Sequence, residues 1–181
     1  MRKLKNIYLL LGKSGSGKTT VQTQLEKEFG LKPLISYTTR APRHKDETGH
    51  IFVSKEVFDA LENKIAYAEF AGNEYCSTAE QIDESDIYVI DVQGIKYLKQ
   101  SYNGNKAFKV IFLDASTHIC YERMIKRGDS HQEAKKRIDN DQTAFAEARD
   151  LADLIIKVDN VSIRSITNTI WNYVEKCETG I

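Results

Sequence analysis

Long apolar runs are missing from this sequence. A helix that crosses a membrane needs about 18–20 consecutive apolar residues, and no stretch of the chain approaches that length. Residues 1–5 lead directly into a short apolar segment and lack the separate apolar region and cleavage site of a signal peptide. We therefore expect a protein that does not act at a membrane.

Cysteine is scarce and net charge is absent. Cys76, Cys120 and Cys177 are unevenly spaced and form no C-x-x-C pair, which argues against a disulfide framework or a zinc site and favours a reduced, cytoplasmic setting. The 26 Lys and Arg residues balance 26 Asp and Glu residues. No overall field therefore attracts nucleic acid or a membrane surface, and any basic function is local.

What the sequence does contain is an alternation of strand-like and helix-like segments, which is typical of an α/β fold with a parallel sheet. Its 181 residues, 41% of them hydrophobic, suffice for one domain with a substantial core. Predicted strands cover residues 6–11, 33–36, 65–77, 87–91, 108–113 and 154–158, and predicted helices cover 20–29, 55–64, 94–100, 116–126, 130–151 and 163–177.

Residues 37–80 interrupt this alternation. The stretch 37–48 is polar and rich in Arg and Lys, and it is predicted to be a loop, whereas 65–77 resembles a hairpin that turns at Gly72-Asn73. We expect a single domain over residues 1–181, with a core of 1–36 and 81–181 and a small inserted sub-structure at 37–80.

The chain is organised around Gly12-Lys13-Ser14-Gly15-Ser16-Gly17-Lys18-Thr19, which fills every fixed position of the phosphate-binding loop G-x-x-x-x-G-K-[ST]. An apolar strand precedes the loop and a helix follows it, so a chance glycine-rich turn is the weaker interpretation. Lys18 is expected to reach the β- and γ-phosphates of ATP, and the Thr19 hydroxyl to ligate Mg²⁺. The predicted ATP-binding residues are Gly12, Lys13, Ser14, Gly15, Ser16, Gly17, Lys18, Thr19 and Thr20.

Two further places carry groups suited to phosphate chemistry. Arg40 and Arg43, stiffened by Pro42, suit bidentate contacts with a second anion, although an exposed basic loop is an equal alternative. Asp91 ends an apolar strand, at the sheet edge where ligands gather in α/β folds. It could hold Mg²⁺ through water, contact an acceptor, or simply begin a helix.

A group of arginines surrounds the glycine-containing segment 128–131. Arg127 and Arg137 could fold over a triphosphate and offset charge in the transition state, whereas Arg123, one helical turn earlier, could equally be a solvated helix residue. The acidic pair Asp139 and Asp141 is expected on a solvated helix face. Three histidines lack ligand or triad spacing and are expected at the surface; they are His44, His118 and His131.

Four motifs together resemble the guanylate kinase family, and the resemblance runs over nearly the whole chain. They are the arginine loop Ser36-Tyr37-Thr38-Thr39-Arg40-Ala41-Pro42-Arg43, the turn Gly72-Asn73-Glu74-Tyr75-Cys76-Ser77, the segment Asp91-Val92-Gln93-Gly94, and the arginines Arg123, Arg127 before Gly128, and Arg137. The resemblance implies a P-loop NTPase-type parallel sheet flanked by helices, with 37–80 as the acceptor-binding part and a short lid at about 127–137.

The resemblance also implies an activity, the phosphorylation of a nucleoside monophosphate, with GMP or dGMP favoured, by ATP and Mg²⁺. Lys18, Arg127 and Arg137 would surround the transferred group, and Thr19 and Asp91 are the metal candidates. The implied acceptor-binding residues are Ser36, Arg40, Arg43, His50, Tyr75, Ser77 and Asp91, with Ser77 and Asp91 toward the base. Small-molecule nucleotides are the expected partners, and the sequence does not indicate an oligomeric state.

Departures from the family pattern lie at the base pocket. The position of the family's guanine-reading glutamate is Ala66, and strand parity directs Glu69 to the opposite face. Val89 stands in place of a family aspartate, His50 in place of a tyrosine, and Cys76 in place of a glycine. Two alternatives therefore remain, namely a kinase for another nucleotide or phosphosugar, and a non-catalytic interaction module.

Overall fold

A five-stranded parallel sheet forms the centre of the protein. In the computed structural model, residues 4–42, 45, 47, 49–70 and 72–180 are described, without the side chain of Phe70. The strands are β1 (Asn6–Leu11), β2 (Pro33–Leu34), β7 (Ile87–Val89), β8 (Ala107–Asp114) and β9 (Leu154–Lys157). Their order across the sheet is β2-β7-β1-β8-β9, and every pairing is parallel.

Strand β1 is buried along its whole length because both faces of the sheet are covered. Tyr8 and Leu10 face one apolar cluster, and Ile7, Leu9 and Leu11 face the other. Helices other than α2 supply the opposite sides of both clusters, and the protein has eight helices in its described residues. They are α1 (Lys18–Phe29), α2 (Lys55–Ala60), α3 (Ala79–Glu84), α4 (Val92–Ser101), α5 (Thr117–Arg127), α6 (His131–Ala144), α7 (Ala148–Leu151) and α8 (Ile163–Thr179). The predicted α/β class is therefore confirmed.

A second, four-stranded sheet is formed by residues that lie, in sequence, between β2 and β7 of the central sheet. Its strands are β3 (Tyr37–Thr38), β4 (Ile51–Phe52), β5 (Lys64–Phe70) and β6 (Asn73–Thr78), in the order β4-β3-β6-β5. The antiparallel β5–β6 hairpin is present as predicted, but Asn73 pairs with Phe70 and begins β6 instead of forming part of the turn. The register of the hairpin shifts between Ile65 and Ala68. Ala66, inside this bulge, has a φ of 51°, so simple alternation of faces does not hold along β5.

Several predicted boundaries differ from those of the structure. Residues 37–38, predicted as loop, form β3 because they pair with Tyr75 and Cys76 on β6. The helix predicted over 55–64 ends at Ala60, since Asn63 turns left-handed at a φ of 52° and Lys64 begins β5. The helix predicted over 130–151 stops after Ala144 and resumes as α7. The strand predicted over 87–91 ends at Val89.

Helix α3 was not predicted, although its sequence contained the pattern that could have revealed it. The Thr78 side chain accepts from the Gln81 backbone N–H, and Gln81 reciprocates at the Thr78 N–H, which is a complete capping box. No helix in the described part of the chain has the length and apolarity that a membrane span requires.

The last helix is tied to the first strand by one buried carboxylate. Glu178 on α8 accepts hydrogen bonds from the Lys5 N–H at 2.8 Å, the Asn6 side-chain amide at 2.7 Å and the Tyr8 hydroxyl at 3.0 Å. Burial raises the pKa of Glu178, but these bonds outweigh burial and the net shift of the pKa is downward. The ionised form of Glu178 therefore links α8 to the N-terminal end of β1.

We predict that Glu178→Ala lowers the free energy of unfolding by about 3 kcal/mol, because the donors around the lost carboxylate stay buried without partners. Urea denaturation at neutral pH measures the change. Glu175→Ala, at an exposed position of the same helix, is the matched control and should cost less than about 0.5 kcal/mol. Equal losses in the two variants would contradict the assignment.

Candidate active site

The phosphate-binding loop lies between β1 and α1, and two glycines allow its shape. Gly15 and Gly17 have φ values of 78° and 98°, which only glycine adopts without strain. A Cβ added at Gly15 would lie 2.5 Å from the carbonyl oxygen of Cys120 on α5. Arg123, also on α5, donates from Nη1 to the Ser16 carbonyl at 3.1 Å. Helix α5 therefore supports the loop from behind, and Arg123 is not a solvated helix residue.

Lys18 curls back over this loop. Its Nζ donates to the carbonyl oxygens of Gly12 at 2.5 Å and Lys13 at 3.0 Å. Desolvation lowers the pKa of Lys18 to about 8, although the nearby Asp141 carboxylate partly opposes this shift. The Lys18 ammonium therefore lies at the loop and loses its proton more readily than the ammonium of an ordinary lysine.

Asp141 is the clearest error of the sequence analysis. It was predicted on a solvated helix face, but only 4% of its surface is exposed. Its carboxylate accepts the Ser14 backbone N–H at 2.7 Å, because α6 crosses the mouth of the loop. Asp139, two residues earlier, is exposed as predicted. Asp141 lies one turn after Arg137 on α6, and that spacing was the available clue.

Two adjoining cavities open from the loop. The smaller, of about 210 Å³, is bounded by the loop, the second sheet and the end of β7. The larger, of about 650 Å³, extends from the loop toward the arginines of α5 and α6. Both are lined by Ser14, Lys18, Ser36, His50, Val89 and Arg137. The two cavities therefore form one cleft, with Lys18 between its ends.

Ser36 and His50 line both cavities and Tyr75 lines the smaller one, whereas Arg40 is not among the residues that line either cavity. Both terminal nitrogens of Arg40 donate to the Glu47 carboxylate, at 3.2 and 2.7 Å, and the guanidinium lies 5.2 Å from the centre of the Phe52 ring. Ser36 Oγ and His50 Nδ1 are hydrogen-bonded at 3.0 Å. Tyr75 packs edge-on against His50, with ring centres 5.5 Å apart. Arg43 and His44 lie outside the described residues.

Asp91 begins α4, as one of the sequence alternatives proposed. Its Oδ1 accepts the Gly94 backbone N–H at 2.7 Å, and burial raises the pKa of this carboxyl group. The same side chain also lines the smaller cavity. Ser77 is fully buried and donates to the Ile65 carbonyl at 3.5 Å, so it lies behind the cavity wall. Tyr88, which sequence analysis did not select, lines the cavity instead.

Arg127 and Arg137 converge on a shared carboxylate. Arg127 donates from Nε and Nη2 to Asp129 at 3.0 and 2.6 Å, and Arg137 Nε lies 3.6 Å from the same carboxylate. Both arginines line the larger cavity, as do Thr19 and Thr20. His118 and His131 are exposed, as expected.

The arrangement of loop, cleft and arginines can be compared with that of known proteins. A family model described as guanylate kinase matches residues 4–176. The chain belongs to the guanylate kinase family. The predicted resemblance is therefore confirmed.

Individual guanylate kinases match most of the chain. The enzyme of Polaromonas sp. is 30% identical over 83% of this chain and 79% of that protein. That of Geobacter metallireducens is 29% identical over 99% of this chain and 93% of that protein. The crystal structure of guanylate kinase from Anaplasma phagocytophilum, at 20% identity, superposes with a TM-score of 0.62 over 98% of this chain and 88% of that one. The last comparison shows that the fold is shared.

The cleft offers oxygen donors that fit Mg²⁺. The Thr19 hydroxyl lines the larger cavity and the Asp91 carboxylate the smaller. Among the described residues, no three His, Cys, Asp or Glu side chains are grouped as a metal cage. Mg²⁺ commonly takes one or two protein oxygens and completes its shell with phosphates and water, so this sparse donor set suits it.

The lowered pKa of Lys18 gives a prediction about pH. Because kcat/KM reports ionisations of the free enzyme, kcat/KM for MgATP should fall as the pH rises above about 8. Asp141→Asn should move this fall to lower pH, since the Asp141 charge raises the pKa of Lys18. Asp139→Asn, its exposed neighbour on the same helix, should leave the profile unchanged. A flat profile through pH 9, or equal shifts in both variants, would contradict the electrostatic assignment.

Proposed function

We propose that the protein transfers the γ-phosphoryl group of ATP to the phosphate of GMP or dGMP, yielding ADP and the nucleoside diphosphate. The observation that carries this proposal is the lining shared by the two cavities, because Lys18 of the phosphate-binding loop lines both of them together with Ser36 and His50. Membership of the guanylate kinase family supports it. Donor and acceptor phosphates would meet at Lys18.

The donor triphosphate would bind in the loop. Backbone N–H groups from Gly12 to Thr19, at the positive end of α1, would surround its phosphates, and Lys18 would neutralise the β- and γ-oxygens. Thr19, with Asp91 through water, would hold Mg²⁺, which supplies charge neutralisation when bound. For the N–H of Ser14 to contact phosphate, the Asp141 carboxylate must give up its present hydrogen bond.

The acceptor phosphate would bind at the opposite end of the cleft. Ser36, His50 and Tyr75 line its wall, and Arg40 is held in place by Glu47 and Phe52. Arg43 would add a second guanidinium. A phosphate monoester is already anionic near neutral pH, so one of its oxygens can attack the γ-phosphorus directly. The bond from that phosphorus to the β–γ bridging oxygen breaks, and ADP leaves with the electron pair.

The lid arginines, Arg127 and Arg137, would neutralise charge on the group in flight. Gly128 follows α5 with a φ of 105° and ends the helix, which supports a change of direction at this point.

We also propose that residues 37–80 act as the acceptor-binding part and 127–137 as a lid, on a core of 1–36 and 81–181 within a single domain. The three unpaired thiols support a cytoplasmic location.

The direct test is ADP release from MgATP with a panel of ribo- and deoxyribonucleoside monophosphates. We predict turnover that requires GMP or dGMP and that falls at least ~10³-fold in Lys18→Ala, because removal of the ammonium leaves the transferred charge unneutralised. Lys27→Ala, at an exposed position on α1, should match the wild type. Turnover confined to another acceptor would change the substrate, and none at all would favour a binding module.

We predict that Arg40→Lys raises KM for GMP about tenfold or more while KM for ATP stays unchanged, because lysine cannot offer two parallel N–H bonds. Initial-rate kinetics with each substrate varied in turn separate the two constants. Arg164→Lys, on the exposed surface of α8, is the matched control. A change confined to KM for ATP would remove Arg40 from the acceptor site.

A further inference from the structure

Tyr88 carries a hydroxyl group in strand β7, whose other residues are apolar. On β7, Ile87 packs in the cluster on one face of the central sheet, and Tyr88 packs in the other cluster, as does Ile90 just beyond the strand. Only 4% of Tyr88 is exposed, and the ring satisfies the packing that this position requires. The hydroxyl adds a buried polar group, which must find a partner.

The surroundings of that hydroxyl are polar and face the smaller cavity. Tyr88 and Ser36 both line this cavity, and hydrogen bonding to Ser77 and Ser36 opposes the effect of burial on the pKa of Tyr88. Ser77 donates to the Ile65 carbonyl and supports Tyr88 from behind the wall. Burial, the largest influence, raises the pKa of Tyr88. The phenol is therefore neutral at physiological pH and can both donate and accept a hydrogen bond.

The same cavity has few other polar groups available to a base. Ala66 and Ala68 present methyl groups from β5, and Val89 follows Tyr88. Glu69 is exposed and is not part of the wall. Of the carboxylates among the residues that line the cavity, Asp141 is bonded to the loop and Asp91 accepts the Gly94 N–H.

We propose that the Tyr88 hydroxyl contacts the base of the acceptor nucleotide and contributes to its selection. This inference rests on the proposed function. Ser36, His50 and Tyr75 hold the phosphate end, and Tyr88 lies in the wall of the same cavity with a hydroxyl that suits the carbonyl oxygen or ring N–H of a purine edge. A neutral hydroxyl would therefore read the base in a wall that presents alanine methyl groups.

Tyr88→Phe tests the assignment, because it removes the hydroxyl and keeps the ring. KM for GMP should rise about tenfold, whereas KM for ATP and kcat should stay unchanged. The inhibition constant of ribose 5-phosphate, which carries the sugar and phosphate without a base, should also stay unchanged. A merely structural role would disturb all of these constants together.

Tyr8→Phe is the matched control. Tyr8 is a buried tyrosine of the same sheet, but its hydroxyl bonds to Glu178 on the opposite face. This variant should lower the melting temperature and leave every kinetic constant at the wild-type value.

Three outcomes decide the matter. An unchanged KM for GMP in Tyr88→Phe, or equal losses for GMP, ATP and ribose 5-phosphate, would overturn the role of Tyr88. Absence of turnover with GMP in the wild type would instead overturn the proposed function. If Tyr88→Phe does not fold, Tyr88→Met is judged by the same constants and the same criterion.

Discussion

The backbone of the phosphate-binding loop is the constraint on which the rest of the structure depends. Its left-handed residues Gly15 and Gly17 let the chain leave a buried strand and begin α1 with N–H groups directed at a bound anion. Three contacts then fix it: the α5 backbone packs against Gly15, Arg123 donates to the Ser16 carbonyl, and Asp141 accepts from the Ser14 N–H. The loop is therefore shaped by elements distant in sequence.

Several hydrogen-bond donors that the proposed mechanism assigns to phosphate binding contact carboxylates of the chain itself. Asp141 binds the Ser14 N–H, Glu47 binds Arg40, and Asp129 lies between the lid arginines. Each contact keeps a donor in position, and the contacts of Glu47 and Asp129 also offset the charge of the arginines. Under the proposed function, substrate binding exchanges at least the Asp141 contact for a phosphate contact, so affinity reflects a difference between two anions.

The features that depend only on neighbouring residues could be predicted from the sequence. The complete loop motif predicted the strand, the turn and the helix around Lys18, because glycine positions and apolar runs act within a few residues. Asp141 was misassigned because its burial depends on α6 crossing the loop, which no spacing within the helix specifies. Tyr88 was not selected as a site residue because a tyrosine within an apolar strand fits the pattern of an ordinary core residue. The bulge at Ala66 invalidates simple parity on β5, although Glu69 is exposed, as parity suggested.

The central claim is direct transfer between two phosphates that meet at Lys18. A single-turnover experiment with enzyme in excess over ATP labelled in its γ-phosphate tests it most directly. With GMP present, the account predicts that the label passes to GDP and that almost none appears as inorganic phosphate. Label released as inorganic phosphate at the same rate with or without GMP, or retained on the protein, would contradict direct transfer.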